Sequence, residues 1–175
     1  MEKAEDKTIL VVDDEPNVRE YLRTVLEDAR FKVVTAADGK EALEVIQRER
    51  PDFISLDLIM PKKSGHKLLY ELKKDKDLSR IPVLIVTAHA QDELGKGSLE
   101  DLLRNGVMSG PSTYLEKPIN PLSYVRSIQR ALGIEESKET EDKLSLKEKL
   151  QQELQGATSD ALRQALEALK KASGG

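Results

Sequence analysis

Between residue 7 and about residue 133, five short apolar runs alternate with amphipathic stretches. The runs are Thr8–Val12, Phe31–Thr35, Phe53–Asp57, Ile81–Val86 and a shorter one around Thr113–Leu115, and their brevity and branched side chains predict strands. Between them, apolar residues return at three- and four-residue intervals, as helices with one buried face require. Val18, Tyr21, Leu22, Val25 and Leu26 form such a face in a first helix, which Pro16 opens after Asp13, Asp14 and Glu15. Asp38 and Glu41 have the spacing of a capping box, and Ala42, Leu43, Val45 and Ile46 continue a second helix. Leu68, Leu69 and Leu72 mark a third. Asn120 and Pro121 supply the cap and first turn of another, with Leu122, Val125, Ile128 and Leu132 as its apolar side. Strands alternating with helices in this way predict a doubly wound α/β domain.

Two regions break the rhythm. Gln91 to Ser112 is rich in Gly and Ser around one predicted short helix, Ser98–Asn105, which Gly106 is placed to stop. Residues 135–143 are almost all polar and read as a linker, separating a domain over residues 1–134 from a helical tail over residues 144–172. In the tail, Ser145–Glu148 has capping-box spacing and Leu146, Leu150 and Leu154 share one face. Gly156–Asp160 either breaks the tail into a hairpin, with Leu162, Ala165, Leu166 and Leu169 on the second arm, or one long helix passes through.

Composition narrows the chemistry. The chain has no cysteine, which excludes disulfides and thiolate metal sites and fits a reducing, cytoplasmic setting. Its first seven residues are too charged for a signal peptide, and no apolar run approaches the roughly 18 residues of a membrane span. A net charge of −4 offers no general attraction to nucleic acid. The residues after Leu132 carry 7 Lys/Arg against 9 Asp/Glu, so the tail supplies no basic recognition helix either.

In an open parallel sheet, ligands bind beyond the carboxyl ends of the strands. Asp13 and Asp14 end the first strand, Asp57 the third and Thr87 the fourth, while Lys117 follows the fifth. An acidic pair before a helix is ordinarily a cap, but three carboxylates at one sheet edge repel one another and need a compensating charge. A hard, oxygen-seeking Mg2+ together with Lys117 provides it, and two histidines and no cysteine give a softer metal little support. Such a carboxylate, beside a hydroxyl and an ammonium group, is a workable phosphoryl acceptor.

With these residues in place, the chain resembles the receiver domains of two-component response regulators over about residues 7 to 133. The motifs are Val11-Val12-Asp13-Asp14-Glu15-Pro16, Asp57-Leu58-Ile59-Met60-Pro61 with Gly65, Val86-Thr87-Ala88 and Lys117-Pro118. Each alone is weak; together they are highly specific. The resemblance implies a flavodoxin-like sheet of five parallel strands in the order 2-1-3-4-5, with helices on both faces; the C-terminal helical extension read from the residues lies beyond it. It implies phosphorylation of Asp57 by a histidine kinase or phosphotransfer protein, and Mg2+, or Mn2+ in its place, held by Asp13, Asp14, Asp57 and the backbone carbonyl of Ile59. Lys117 would pair with the acceptor or phosphoryl group, Thr87 would be the switch hydroxyl, and Tyr114 the aromatic that turns inward on activation. The Ile59 side chain and His89 stand where they could flank the phosphoryl group and tune attack by water.

The expected function is a phosphorylated signalling switch and not an enzyme: self-phosphorylation and slow self-dephosphorylation are its only chemistry. Its output is a protein partner, or a homodimer formed through the tail or the last helices. An aspartyl-phosphate phosphohydrolase needs the same nucleophile and metal, but resembles an Asp-x-Asp signature where this chain has adjacent acids. A receiver-like scaffold that is never phosphorylated is the third reading. The interval from Thr87 to Lys117 is longer than in the commonest receivers by roughly two helical turns. That insertion either alters which partner reads the switch or lengthens a surface loop.

Overall fold

The computed structural model describes residues 2–87, 114–135 and 138–156, together with residues 164, 167, 168 and 171. Five parallel strands form one sheet in the order β2-β1-β3-β4-β5: β1 (Thr8–Val12), β2 (Lys32–Ala36), β3 (Phe53–Asp57), β4 (Val83–Thr87) and β5 (Tyr114–Glu116). Helices α1 (Pro16–Asp28), α2 (Gly39–Glu49), α3 (Ser64–Lys74), α4 (Pro121–Ala131) and α5 (Lys138–Gly156) surround it. The sheet is the flavodoxin-like arrangement expected, with the reversal of strand order between β1 and β3.

Alternation along the buried strands divides the core. Ile9 and Val11 of β1 and Phe53 of β3 face α1 and α4, while Leu10, Val12, Ile54 and Leu56 face α2 and α3. Leu22, Val25 and Leu26 of α1 and Val125 and Ile128 of α4 complete the first layer, and Val45, Ile46, Leu68, Leu69 and Leu72 the second. A central strand buried on both sides must be apolar throughout, so the polar residues of β3, Ser55 and the terminal Asp57, stand out.

The local signals act where expected. Asp38 accepts from the Glu41 N–H at 2.8 Å, and Glu41 reaches back to the N–H of Ala37, one residue beyond the usual capping-box partner. Asn120 accepts from the Ser123 N–H at 2.9 Å and caps α4. Strand β4 begins later than its apolar run, at Val83, because Pro82 has no N–H for the ladder; its carbonyl still accepts from Ile54.

The C-terminal region departs from expectation. Helix α5 starts at Lys138, inside the segment read as a linker over residues 135–143. Glu139 and Glu141 favour its N-terminal turn, Glu139 pairs with Lys143 one turn on, and Thr140 is buried on the receiver-like domain. Ser145–Glu148, read as a capping box, is therefore helix interior. The most deeply buried leucine of α5 lies off the stripe of Leu146, Leu150 and Leu154. Leu144 is 1% exposed and joins the core between α1 and α4, whereas Leu146 is 59% exposed and Leu150 half-buried. Residues two apart lie on opposing sides of a helix, and the rim of the groove selects the charged side: Arg126 meets Glu141, Arg30 meets Glu139 and Lys147 meets Asp28. Burying Leu144 contributes about 1.5–3 kcal/mol, buried Thr140 and half-buried Leu150 add to it, and the exposed ion pairs add little individually. Helix α5 is described as far as Gly156; residues 157–160, where the tail either breaks or continues, and most of the second arm lie outside the described residues.

Candidate functional site

Strands β1 and β3 bring Asp13 and Asp57 to the same edge of the sheet. Asp13, one residue past β1, is 1% exposed. Its Oδ1 accepts from the Glu15 N–H at 2.9 Å and its Oδ2 from Lys117 Nζ at 2.8 Å. Asp57 closes β3 and is 5% exposed; its Oδ1 accepts from the Ile59 N–H at 3.0 Å, and its Oδ2 faces Lys117 Nζ at 3.4 Å. Asp14 is exposed at the mouth. Lys117, directly after β5, thus joins two carboxylates from different strands.

Electrostatics leave Asp57 unusual. Burial pushes its carboxyl up from 3.8 to about 6 and the Asp13 charge adds to this, while Lys117 and the Ile59 N–H pull the other way. Burial also works against the Lys117 ammonium, but the Asp13 hydrogen bond and the charges of both carboxylates outweigh it and hold that pKa above its ordinary value. One lysine does not balance two buried acids plus Asp14, so the site has room for another cation.

The carboxylates fit a metal. One oxygen from each of Asp13, Asp14 and Asp57 lies within 4.8 Å of the others, and octahedral Mg2+ with bonds near 2.1 Å separates its ligands by about 3 to 4.2 Å. Small shifts of exposed Asp14 suffice to close the set.

Thr87 ends β4 in register with Glu116 of β5, at the level expected; its side chain lies outside the described residues, as do His89, the predicted helix Ser98–Asn105 and the whole of Gln91–Ser112. Tyr114 is 43% exposed on the edge strand. The Ile59 side chain is partly buried against the α2–α3 side of the core.

Three residues, Arg19, Ser55 and Tyr124, escaped the sequence reading, whereas Gly65 was part of the motif read there. Arg19 donates to the Asp13 carbonyl at 2.7 Å and so braces the loop between β1 and α1; its place one turn into an amphipathic helix carries no distinguishing signal. Ser55 and Tyr124 bury their hydroxyls together beneath the site, close enough for Ser55 to ease the burial that raises the Tyr124 pKa but outside hydrogen-bonding geometry. A polar residue within the buried β3 run was the available hint. Gly65 starts α3 so close to the acceptor strand that a Cβ there would stand 2.7 Å from the Asp57 carbonyl oxygen and 2.8 Å from that of Leu58.

Residues 9–129 match the response regulator receiver domain family. The chain belongs to that family. A probable transcriptional regulator of Cyanophora paradoxa is 41% identical over 115 residues, 66% of this chain and 44% of the relative. The chain spans less than half the length of several such regulators that it matches. Among solved structures, the chemotaxis protein CheY4 of Vibrio cholerae is 31% identical with a TM-score of 0.59, covering 71% of this chain and 97% of that one. The receiver domain of a Pseudomonas aeruginosa sensor histidine kinase is 27% identical with a TM-score of 0.62, covering 73% and 98%; it holds magnesium in its active-site cleft. In this receiver, the residues facing the equivalent edge of the sheet are Asp13, Asp14, Asp57 and Lys117. Among the described residues, no helix is long and apolar enough to cross a membrane.

Proposed function

We propose that this receiver takes a phosphoryl group on Asp57 from the phosphohistidine of a histidine kinase or phosphotransfer protein, in a Mg2+-dependent step, and passes the change to a protein partner or to a second copy. The observation that carries the reading is the Asp57 carboxylate, nearly buried at the end of the central strand, with Lys117 3.4 Å from one oxygen and two further carboxylates beside it. An Asp57 oxygen attacks phosphorus in line; the O–P bond forms as the N–P bond of the phosphohistidine breaks and its electron pair returns to the imidazole.

Asp13, Asp14, Asp57 and the Ile59 carbonyl would hold Mg2+, which when bound offsets charge on the phosphoryl oxygens. Lys117 offers the transferring group a second positive charge without moving far. The Ile59 N–H fixes the orientation of Asp57 by holding its other oxygen. Thr87 and Tyr114, on the neighbouring strands, are the proposed switch pair, with Ile59 and His89 setting the lifetime of the acyl phosphate. The reaction modifies the protein once per cycle, so its product is a signal and the chain is not a turnover enzyme. A cytoplasmic setting belongs to the same proposal.

Intact mass after incubation with acetyl phosphate and Mg2+ tests it. Wild type gains one phosphoryl group and Asp57→Asn gains none; equal labelling of the two removes Asp57 as the acceptor.

A further inference from the structure

Helix α5 lies antiparallel to α4, in the groove between α4 and α1. Its contacts flank buried Leu144: Glu139 meets Arg30 and Lys147 meets Asp28 on the α1 side, while Glu141 meets Arg126 and Glu148 meets Asn120 on the α4 side. The tie nearest the acidic site is that between the Asn120 amide and the Glu148 carboxylate, at 2.5 Å. Asn120 does a second job, because its side-chain oxygen caps α4 by accepting from Ser123. Only Pro118 and buried Ile119 separate it from Lys117. Lys117 and Asn120 thus end one short segment, and Asn120 cannot turn without loosening its cap, its bond to Glu148, or both.

Lys117 is the group at the site with a reason to move. Unmodified, it sits closer to Asp13, at 2.8 Å, than to Asp57, at 3.4 Å. Phosphorylation replaces the single negative charge of the Asp57 carboxylate by about two on the acyl phosphate and adds three strong acceptors, which draw the ammonium toward them. The segment from Lys117 to Asn120 would carry that pull to Glu148 in the middle of α5, whose other ties are buried Leu144 and Thr140, half-buried Leu150 and the charge pairs at the rim.

We infer that the α1–α4 groove is a regulated docking surface, that α5, with Leu144 flanked by charged side chains of both signs, is its resident occupant, and that phosphorylation of Asp57 releases α5 through Lys117 and Asn120. The inference rests on the reading of Asp57 as phosphoacceptor. Release exposes both the basic rim formed by Arg30 and Arg126 and the face of α5 that carries Leu144. Coupling of this kind is reciprocal: whatever undocks α5 must also favour the phosphorylated state.

Hydrogen exchange on the full chain, with intact mass measured in parallel, tests this. In wild type treated with acetyl phosphate and Mg2+, amides of Lys138–Gly156 should exchange at least tenfold faster once the mass gain appears, while those of α2 and α3 do not change. A mass gain without faster exchange overturns the inference and leaves the phosphoacceptor reading intact; no mass gain overturns both. Leu144→Asp, distant from the acidic site, should give fast exchange before any treatment and a phosphorylated fraction at least threefold higher at limiting donor. A fraction equal to wild type, with α5 demonstrably undocked, also overturns the coupling. Glu148→Gln keeps Leu144 and should show the same two effects in weaker form; slow exchange and unchanged phosphorylation in that variant count against Asn120 as the link.

Discussion

The Lys117 ammonium donates to Asp13 at 2.8 Å, joining residues 104 apart in the chain. Asp13 is almost wholly buried, so this lysine is its main charge compensation. Replacing it by an apolar side chain leaves a buried carboxylate without a cation, a situation that typically costs several kcal/mol. Lys117→Met should therefore lower the unfolding free energy by about 2–4 kcal/mol in metal-free urea titrations. Mg2+ should restore more stability to the variant than it adds to wild type, since it supplies the charge that the lysine no longer does. Equal stabilisation of both by Mg2+ would mean that the cation does not reach these carboxylates.

The raised pKa of Asp57 has a pH signature. A carboxyl whose folded pKa lies near 6, above an unfolded value near 3.8, holds its proton more tightly in the native state. Its contribution favours folding at low pH and is lost as pH rises from about 4 through about 6. Two pKa units correspond to roughly 3 kcal/mol, an upper bound because denatured chains and partial solvation reduce it. In EDTA, Asp57→Asn should melt close to wild type at pH 4 and increasingly above it towards pH 7. A constant difference across that range would place the Asp57 pKa near its ordinary value.

Asp14 and Asp13 separate metal binding from folding. Asp14 is exposed, so Asp14→Asn should change stability by no more than about 0.5 kcal/mol, as surface substitutions usually do. Calorimetry should nevertheless find Mg2+ binding weakened at least about tenfold, the loss of one charged ligand. Asp13→Asn should weaken Mg2+ binding and also free Lys117, which a change in the stability difference from Lys117→Met would reveal.

Gly65 tests the packing behind the acceptor. A methyl group there must displace the backbone carbonyls of Asp57 and Leu58, which end the central strand. Gly65→Ala should cost about 1–3 kcal/mol of stability and slow labelling of Asp57 by acetyl phosphate. Unchanged values of both would show that the start of α3 can slide away from the strand.

Most of the fold was legible in the chain because its determinants are local or periodic. Branched apolar runs, one-sided helical stripes, the Asp38 and Asn120 caps and Pro16 each act within a few residues, and the five strands and the helices around them follow. The candidate site was equally legible, since Asp13, Asp57, Thr87 and Lys117 fall at strand ends and a parallel sheet gathers such ends at one edge. Distances and protonation were not. That Lys117 favours Asp13 over Asp57, and that burial lifts Asp57 to about 6, depend on how deeply each carboxylate is packed. The tail shows the same division. Its helical character was readable, but residues 135–143 looked like a linker because they are polar, and Leu146, Leu150 and Leu154 stood out as the apolar stripe. Tertiary structure decided which residues are buried: the groove between α1 and α4 has a charged rim, and it took Leu144 with charged side chains on either side and left Leu146 in solvent. Periodicity reports which face a helix can bury, and only the surface it meets determines which face it does.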